Sequence, residues 1–151
     1  MIKYMVLGPP RSGTAWAAAW LGFLHEPLAQ YKFEDIPEEG ISCTVMGMYP
    51  DFVNKQPAKK VILHRPYDEV NESAKRVGIG IPYSVDCYEA LDRINGKHVH
   101  WRELFDNPDG IYGYLFGRLC DKERHRQLSK INIQNLKLID KVRSMSCLVG
   151  T

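Results

Sequence analysis

Apolar residues gather in short blocks along this chain, separated by glycine, proline and charge. Residues 2–7 form the first block. A compact apolar run of this length, bounded by turn residues, predicts a buried strand. Gly8, Pro9 and Pro10 end it, and residues 14–24 follow with a helical apolar run. Residues 60–64 are short, apolar and β-branched, which predicts a second buried strand; residues 41–46 and 98–101 predict two more. Helices are expected over residues 52–54, 68–77, 85–94, 109–119 and 122–130. Pro66 is placed at a first helical position and Ser84 at an N-cap. Asn95-Gly96 reads as a turn, and residues 78–82 as a helix break. Residues 25–39 are loop-rich, and residues 34–40 have the polar composition of a surface connection or lid. Residues 131–142 carry a helix-like apolar face, and residues 144–151 are unassigned. Strands that alternate with helices predict an α/β fold, in one domain over residues 1–151.

Composition narrows the partners more than the fold. With 44% hydrophobic and 25% charged residues, the chain is of ordinary globular type. A net charge of +2 is too small to argue for nucleic acid. No apolar run approaches the length of a membrane span, so no membrane partner is expected. The first apolar run is too short for a signal peptide, which makes the cytoplasm the expected location. The four cysteines, Cys43, Cys87, Cys120 and Cys147, show no C-x-x-C pairing and read as free thiols. His98 and His100 alternate on a strand and share one face. Two ligands without a third do not make a zinc site, and no metal is expected.

The chemistry is concentrated in Gly8-Pro9-Pro10-Arg11-Ser12-Gly13-Thr14-Ala15-Trp16. A strand that passes through a glycine turn into a helix N-terminus collects backbone N–H groups and a helix dipole, which favour an anion. The common nucleoside-triphosphate loop reads G-x-x-x-x-G-K-[ST]. Gly8 and Gly13 keep its spacing, but Thr14 stands at the lysine position. The cation lies upstream, at Arg11, whose planar fork suits a phosphate or sulfate. Ser12 and Thr14 add hydroxyls, and Trp16 offers a flat face for a base. Arg65 closes the strand at residues 60–64, and Ser73 lies two helical turns further on. Ligands of open α/β sheets bind at that edge.

Pro10-Arg11-Ser12-Gly13-Thr14-Ala15-Trp16 resembles the 5′-phosphosulfate loop of the sulfotransferases that use 3′-phosphoadenosine 5′-phosphosulfate (PAPS), P-[KR]-[ST]-G-[TS]-[TS]-W/L. Arg65 and Ser73 resemble the 3′-phosphate pair of that family, R-[DN]-P-x-[DE]-x-x-x-S, with the chain one residue tighter around Pro66 and the Arg-to-Ser spacing kept. His25-Glu26-Pro27 matches a tripeptide that small phage and bacterial sulfotransferase-like proteins carry after the first helix. The resemblance covers the first half of the chain. Beyond it, Val99 to Leu104 with Asn107-Pro108 is only loosely similar to the family's later strand and turn.

The resemblance implies a P-loop-containing, three-layer α/β/α fold with a mostly parallel central sheet of four to five strands. It implies PAPS as co-substrate and its product PAP, the 3′,5′-bisphosphate. Arg11 would hold the 5′-phosphate and the sulfonyl group, with Pro10, Ser12, Gly13, Thr14 and Ala15 as the rest of the loop. Trp16 would face the adenine, and Arg65 and Ser73 would bind the 3′-phosphate. Arg124, Arg126 or Lys130 would serve as a C-terminal basic contact. The acceptor would be a small or glycan-like molecule with a hydroxyl or amine.

Sulfonyl transfer needs a base for the acceptor proton. The histidine that many family members carry before the second motif is absent from residues 41–51. Glu26, just after the first helix, is the first candidate and His25 the second; Asp51 is more distant. Two other functions stay open: a kinase-like enzyme using ATP through the same loop, and a non-catalytic protein that binds PAP or another adenine nucleotide.

Overall fold

The computed structural model describes residues 1–78 and 84–131. Twelve regular elements carry the fold: β1 (Tyr4–Leu7), α1 (Thr14–Leu21), β2 (Leu24–His25), β3 (Gly40–Cys43), α2 (Pro50–Asn54), β4 (Lys59–His64), α3 (Tyr67–Arg76), α4 (Val85–Asp92), β5 (Lys97–His100), α5 (Glu103–Asp106), α6 (Pro108–Phe116) and α7 (Lys122–Leu128). Short 3-10 turns cover Pro27–Ala29, Phe33–Asp35 and Val45–Met48. The helix-like pattern of residues 132–142, the unassigned tail and most of the break at 78–82 lie outside the described residues.

The five strands form one sheet in the order β2-β3-β1-β4-β5. Every pair is parallel. Strands with helices on both faces must alternate their apolar side chains between two cores, and these do. Met5, Leu7, Ile41, Cys43 and Ile62 pack with Val53 of α2 and Leu91 of α4. Val6, Val61, Leu63 and Val99 pack on the other side with residues of α1, α6 and α7. The result is a three-layer α/β/α fold with a five-stranded parallel sheet. After β1 the chain proceeds to β2 and β3 on one side, and then to β4 and β5 on the other. The loop that follows β1 therefore opens at a switch point of strand order, where such sheets bind ligands.

Several boundaries differ from the sequence pattern. The first helix stops at Leu21 because Gly22 takes a left-handed conformation, φ 73°, and its N–H donates to the Ala18 carbonyl. The apolar residues beyond it, Phe23 and Leu24, turn into the edge strand β2. The expected strand at 41–46 ends at Cys43 and tightens into a 3-10 turn. Pro66 is the N-cap of α3 with extended ψ, one position before the first helical residue. Glu34, Asp35, Glu38 and Glu39 are exposed as a surface connection should be, but buried Ile36 pins the segment into the core.

Gly40 shows how tightly the sheet and helix layers meet. A Cβ there would lie 2.2 Å from the Phe23 ring. Overpacking of this kind costs about 1–3 kcal/mol. Gly40→Ala is expected to lower the urea midpoint by that equivalent, and Phe23→Leu in the same chain to recover part of it. A Gly40→Ala protein as stable as the parent would contradict the packing.

Candidate functional site

The turn after β1 is shaped by close packing and by its own backbone. Gly8 lies so close to β4 that a Cβ would meet Ser12 Oγ at 2.7 Å and Leu63 Cβ at 3.0 Å. Ser12 is fully buried and donates its hydroxyl to the Pro9 carbonyl at 2.6 Å. It therefore braces the loop from inside. Arg11 and Gly13 are both left-handed, with φ 63° and 97°. Gly13 is the N-cap of α1 and offers no side chain to satisfy the first-turn N–H groups. The first-turn N–H groups of a helix have no acceptor within it, and the dipole there favours an anion.

The second motif closes onto the first. Arg65, just past the end of β4, donates through Nη1 to the Arg11 carbonyl. Arg11 donates through Nε to Ser73 Oγ at 3.1 Å. Residues 54 and 62 positions apart are thus joined in one cluster. The left-handed turn at a non-glycine residue costs about 1–2 kcal/mol. The charged hydrogen bond from Arg65 to its carbonyl offsets this. The Arg65 guanidinium also lies 4.3 Å over the Trp101 ring.

Opposite this cluster stands the turn after β2. Glu26 is also left-handed, φ 47°. Among the described residues, Arg11 and Glu26 are the two non-glycine positions with positive φ, and both line one cavity. Strained backbone of this kind concentrates at functional sites. Glu26 Oε1 accepts the Thr44 N–H at 2.6 Å, and Oε2 accepts the Cys43 thiol at 3.4 Å. Burial, reinforced by the Glu26 charge, pushes that thiol up to about 12. Cys43 therefore stays a protonated donor to the carboxylate. The neighbouring His25 has a buried Nδ1 with no hydrogen-bond partner among the described residues.

The cavity measures about 540 Å³, within the range of small-molecule sites. Its floor is Pro10, Arg11, Gly13, Thr14 and Ala15; His25, Glu26 and Thr44 form one wall and Arg65, Trp101 and Phe105 another. Ser129, Lys130 and Ile131 complete the rim. Of the residues expected from sequence, Ser12 and Ser73 stand behind this lining and Asp51 lies outside it, exposed on α2, while the other loop residues, Arg65, His25 and Glu26 reach it. Trp16 requires a correction. It touches the cavity, but it is only 5% exposed. Its Nε1 donates to the Leu128 carbonyl at 2.9 Å, and its ring packs on Trp20, Phe105 and His125. It is a core residue at the start of α1 and presents no open face to a base.

Thr44 and Trp101 were not among the sequence candidates. Each directly follows a strand, β3 or β5, at the sheet edge where ligands bind, and that position is the signal that could have found them. The three C-terminal cations separate cleanly. Arg124 donates to the Ala19 and Trp20 carbonyls at the end of α1, and Arg126 pairs with Glu123. Lys130 lines the cavity. His98 and His100 do share the exposed face of β5. His98 donates through Nε2 to the Ile94 carbonyl, which leaves its Nδ1 to accept from His64 Nε2 at 2.7 Å. Among the described residues no group of three or more metal-ligating side chains forms, and no helix is long and apolar enough to cross a membrane. Cys43, Cys87 and Cys120 are free thiols.

Charge in the cavity is unbalanced. Burial pulls the Arg65 pKa down, and Arg11, Arg76 and Arg102 act in the same direction against Glu69. Burial also lowers His25 below its usual 6.5, against opposing pulls from Glu26 and the Ser42 carbonyl. The unfolded chain takes up a proton there that the folded chain resists. The stability contributed by neutral His25 is therefore present above pH 6.5 and is lost as pH falls through it. His64 shifts in the same direction, by burial first and then by His98. Urea midpoints measured from about pH 7.5 to about pH 5 should fall, and less steeply in His25→Gln. An unchanged slope in that variant would remove His25 as a contributor.

Comparison with protein-family models, with curated proteins and with solved structures returns no match. The geometry of the cavity is therefore what bears on function.

Proposed function

We propose that this chain is a small sulfotransferase-like enzyme that moves a sulfonyl group from PAPS to a hydroxyl or amine acceptor. The observation that carries the reading is the joining of Arg11, Arg65 and Ser73 beside an uncapped helix N-terminus. Two guanidinium groups at one cavity suit a ligand with two anionic groups better than one with a single phosphate chain. Thr14 at the usual lysine position argues against ordinary ATP chemistry.

In this reading Arg11 and the first-turn N–H groups of α1 hold the 5′-phosphosulfate, and Arg65 meets the 3′-phosphate. The acceptor oxygen or nitrogen forms a bond to sulfur as the bond from sulfur to the 5′-phosphate oxygen breaks. PAP leaves with the electron pair of that bond, and the acceptor proton passes to a base. His25 suits this role better than Glu26. The Glu26 carboxylate already accepts two hydrogen bonds, from the Thr44 N–H and the Cys43 thiol, so both of its oxygens are engaged. Among the described residues His25 Nδ1 has no hydrogen-bond partner, and burial disfavours the charged form of the ring. Glu26 then fixes the wall beside it. His25 and Lys130 both line the cavity, whose size suits a small acceptor or one end of a glycan-like one. The cytoplasm, where free thiols persist, is the compartment that fits.

The same two hydrogen bonds to Glu26 favour one other reading, a non-catalytic protein that binds PAP. Calorimetric titration with PAP, PAPS, ADP and ATP, with and without Mg²⁺, separates the cases. PAP binding well above ADP supports a 3′-phosphate site. A Mg²⁺-dependent preference for ATP would replace it with kinase-like chemistry. Transfer of labelled sulfonate to an acceptor panel then separates enzyme from binding protein.

A further inference from the structure

Trp101 has no role in the reading above, yet it is tied to the second anion site at three points. Its backbone N–H donates to the His64 carbonyl at 2.9 Å, which fixes it beside the residue that precedes Arg65. Its ring lies 4.3 Å beneath the Arg65 guanidinium. A second cation, Arg102, lies 5.2 Å from the same ring. Phe105 meets its edge at a centroid distance of 6.0 Å and holds the indole in place.

The hydrogen bonding of the pair is incomplete. Arg65 Nε and Trp101 Nε1 are both buried, and neither has a hydrogen-bond partner among the described residues. Buried polar groups without partners are uncommon and call for a reason. Packing alone gives none, because a carboxylate or carbonyl could have been placed there to accept from both. Glu69 acts on Arg65 yet takes no hydrogen bond from its Nε, and three like charges, Arg11, Arg76 and Arg102, act against it. Two unpaired donors, with three cations set against one carboxylate, make a place for an oxyanion.

We infer that Trp101 is a positioning residue, which holds the Arg65 guanidinium by a cation–π stack in the orientation that receives the second anionic group of the ligand. A guanidinium on a long flexible stem loses much freedom when it binds a phosphate. An aromatic platform that fixes its plane beforehand removes part of that loss. The hydrogen bond from Arg65 Nη1 to the Arg11 carbonyl fixes one end of the fork, and the indole fixes its plane. The inference rests on the anion-binding reading of this cavity, though not on which nucleotide fills it.

A double-mutant cycle tests it, with PAP and inorganic phosphate as separate probes. Trp101→Leu should weaken the probe that Arg65 holds by roughly threefold to thirtyfold, and Trp101→Phe should restore part of the loss. Binding of ADP should stay within about twofold, since the stack serves only the second anion. In an Arg65→Ala background, Trp101→Leu should change nothing further. A Trp101 effect that persists without Arg65 overturns the inference, as does an Arg65-dependent probe that is indifferent to Trp101. Arg65→Ala without effect on either probe also overturns it. A chain that prefers no PAP over ADP, but whose phosphate binding follows the cycle, keeps the inference and loses the PAPS reading. If Trp101→Leu does not fold, Trp101→Phe carries the same cycle with a smaller expected effect.

Discussion

Arg65→Ala is expected to reduce PAP affinity by about tenfold to a hundredfold, the equivalent of one charged hydrogen-bonded contact of about 1.5–3 kcal/mol. ADP lacks the 3′-phosphate, so its loss should be much smaller. It should not be zero. Arg65 also donates to the Arg11 carbonyl, so its removal loosens a left-handed turn in the loop proposed for the 5′ group. Arg65→Lys should fall between, because a lysine keeps the charge but has neither the fork nor the planar stack. Calorimetry with both nucleotides measures each quantity directly. Parallel losses for PAP and ADP would mean that Arg65 serves the loop alone, and equal affinities in the parent would end the 3′-phosphate assignment.

The second large effect concerns the base. His25→Asn is expected to lower sulfonate transfer by about 10²–10⁴-fold with PAP affinity retained. Glu26→Gln should cost less, because an amide oxygen can still accept from Thr44 and the base beside it is intact. With His25 as base the rate should fall as pH drops, with the acid limb below pH 6.5, since burial lowers that pKa. The base must be neutral to accept a proton, so the sign follows directly. Initial rates with labelled PAPS across pH decide the matter. Full activity in His25→Asn together with loss in Glu26→Gln would reverse the two roles. No transfer by the parent to any acceptor, alongside tight PAP binding, would favour the binding protein.

Much of the site was legible before the fold because its parts are local. A glycine pair, an arginine between them and a helix start are contiguous from Gly8 to Trp16. Arg65 and Ser73 sit on one strand end and one helix. Trp16 was misjudged for a reason that sequence hides. An aromatic at the start of a helix can face either a ligand or a neighbouring helix, and here α7 supplies the Leu128 carbonyl to its indole N–H. Ser12 was read as a ligand donor, but its hydroxyl serves the Pro9 carbonyl. The balance between His25 and Glu26 was open because it depends on Cys43 and Thr44, which lie 17 and 18 positions from Glu26.

The sequence by itself determined the alternation of strands and helices, the phosphate-type loop and the second cationic motif, since each depends on periodicity or on neighbours within a few residues. Only the tertiary structure decided that Arg65 would reach the Arg11 carbonyl and that Glu26 would be occupied by β3. It also decided that Trp101 would lie under Arg65. These contacts join residues far apart in the chain. They exist because parallel strands bring their carboxyl ends to one edge of the sheet, and no local pattern of residues states which ends will meet there.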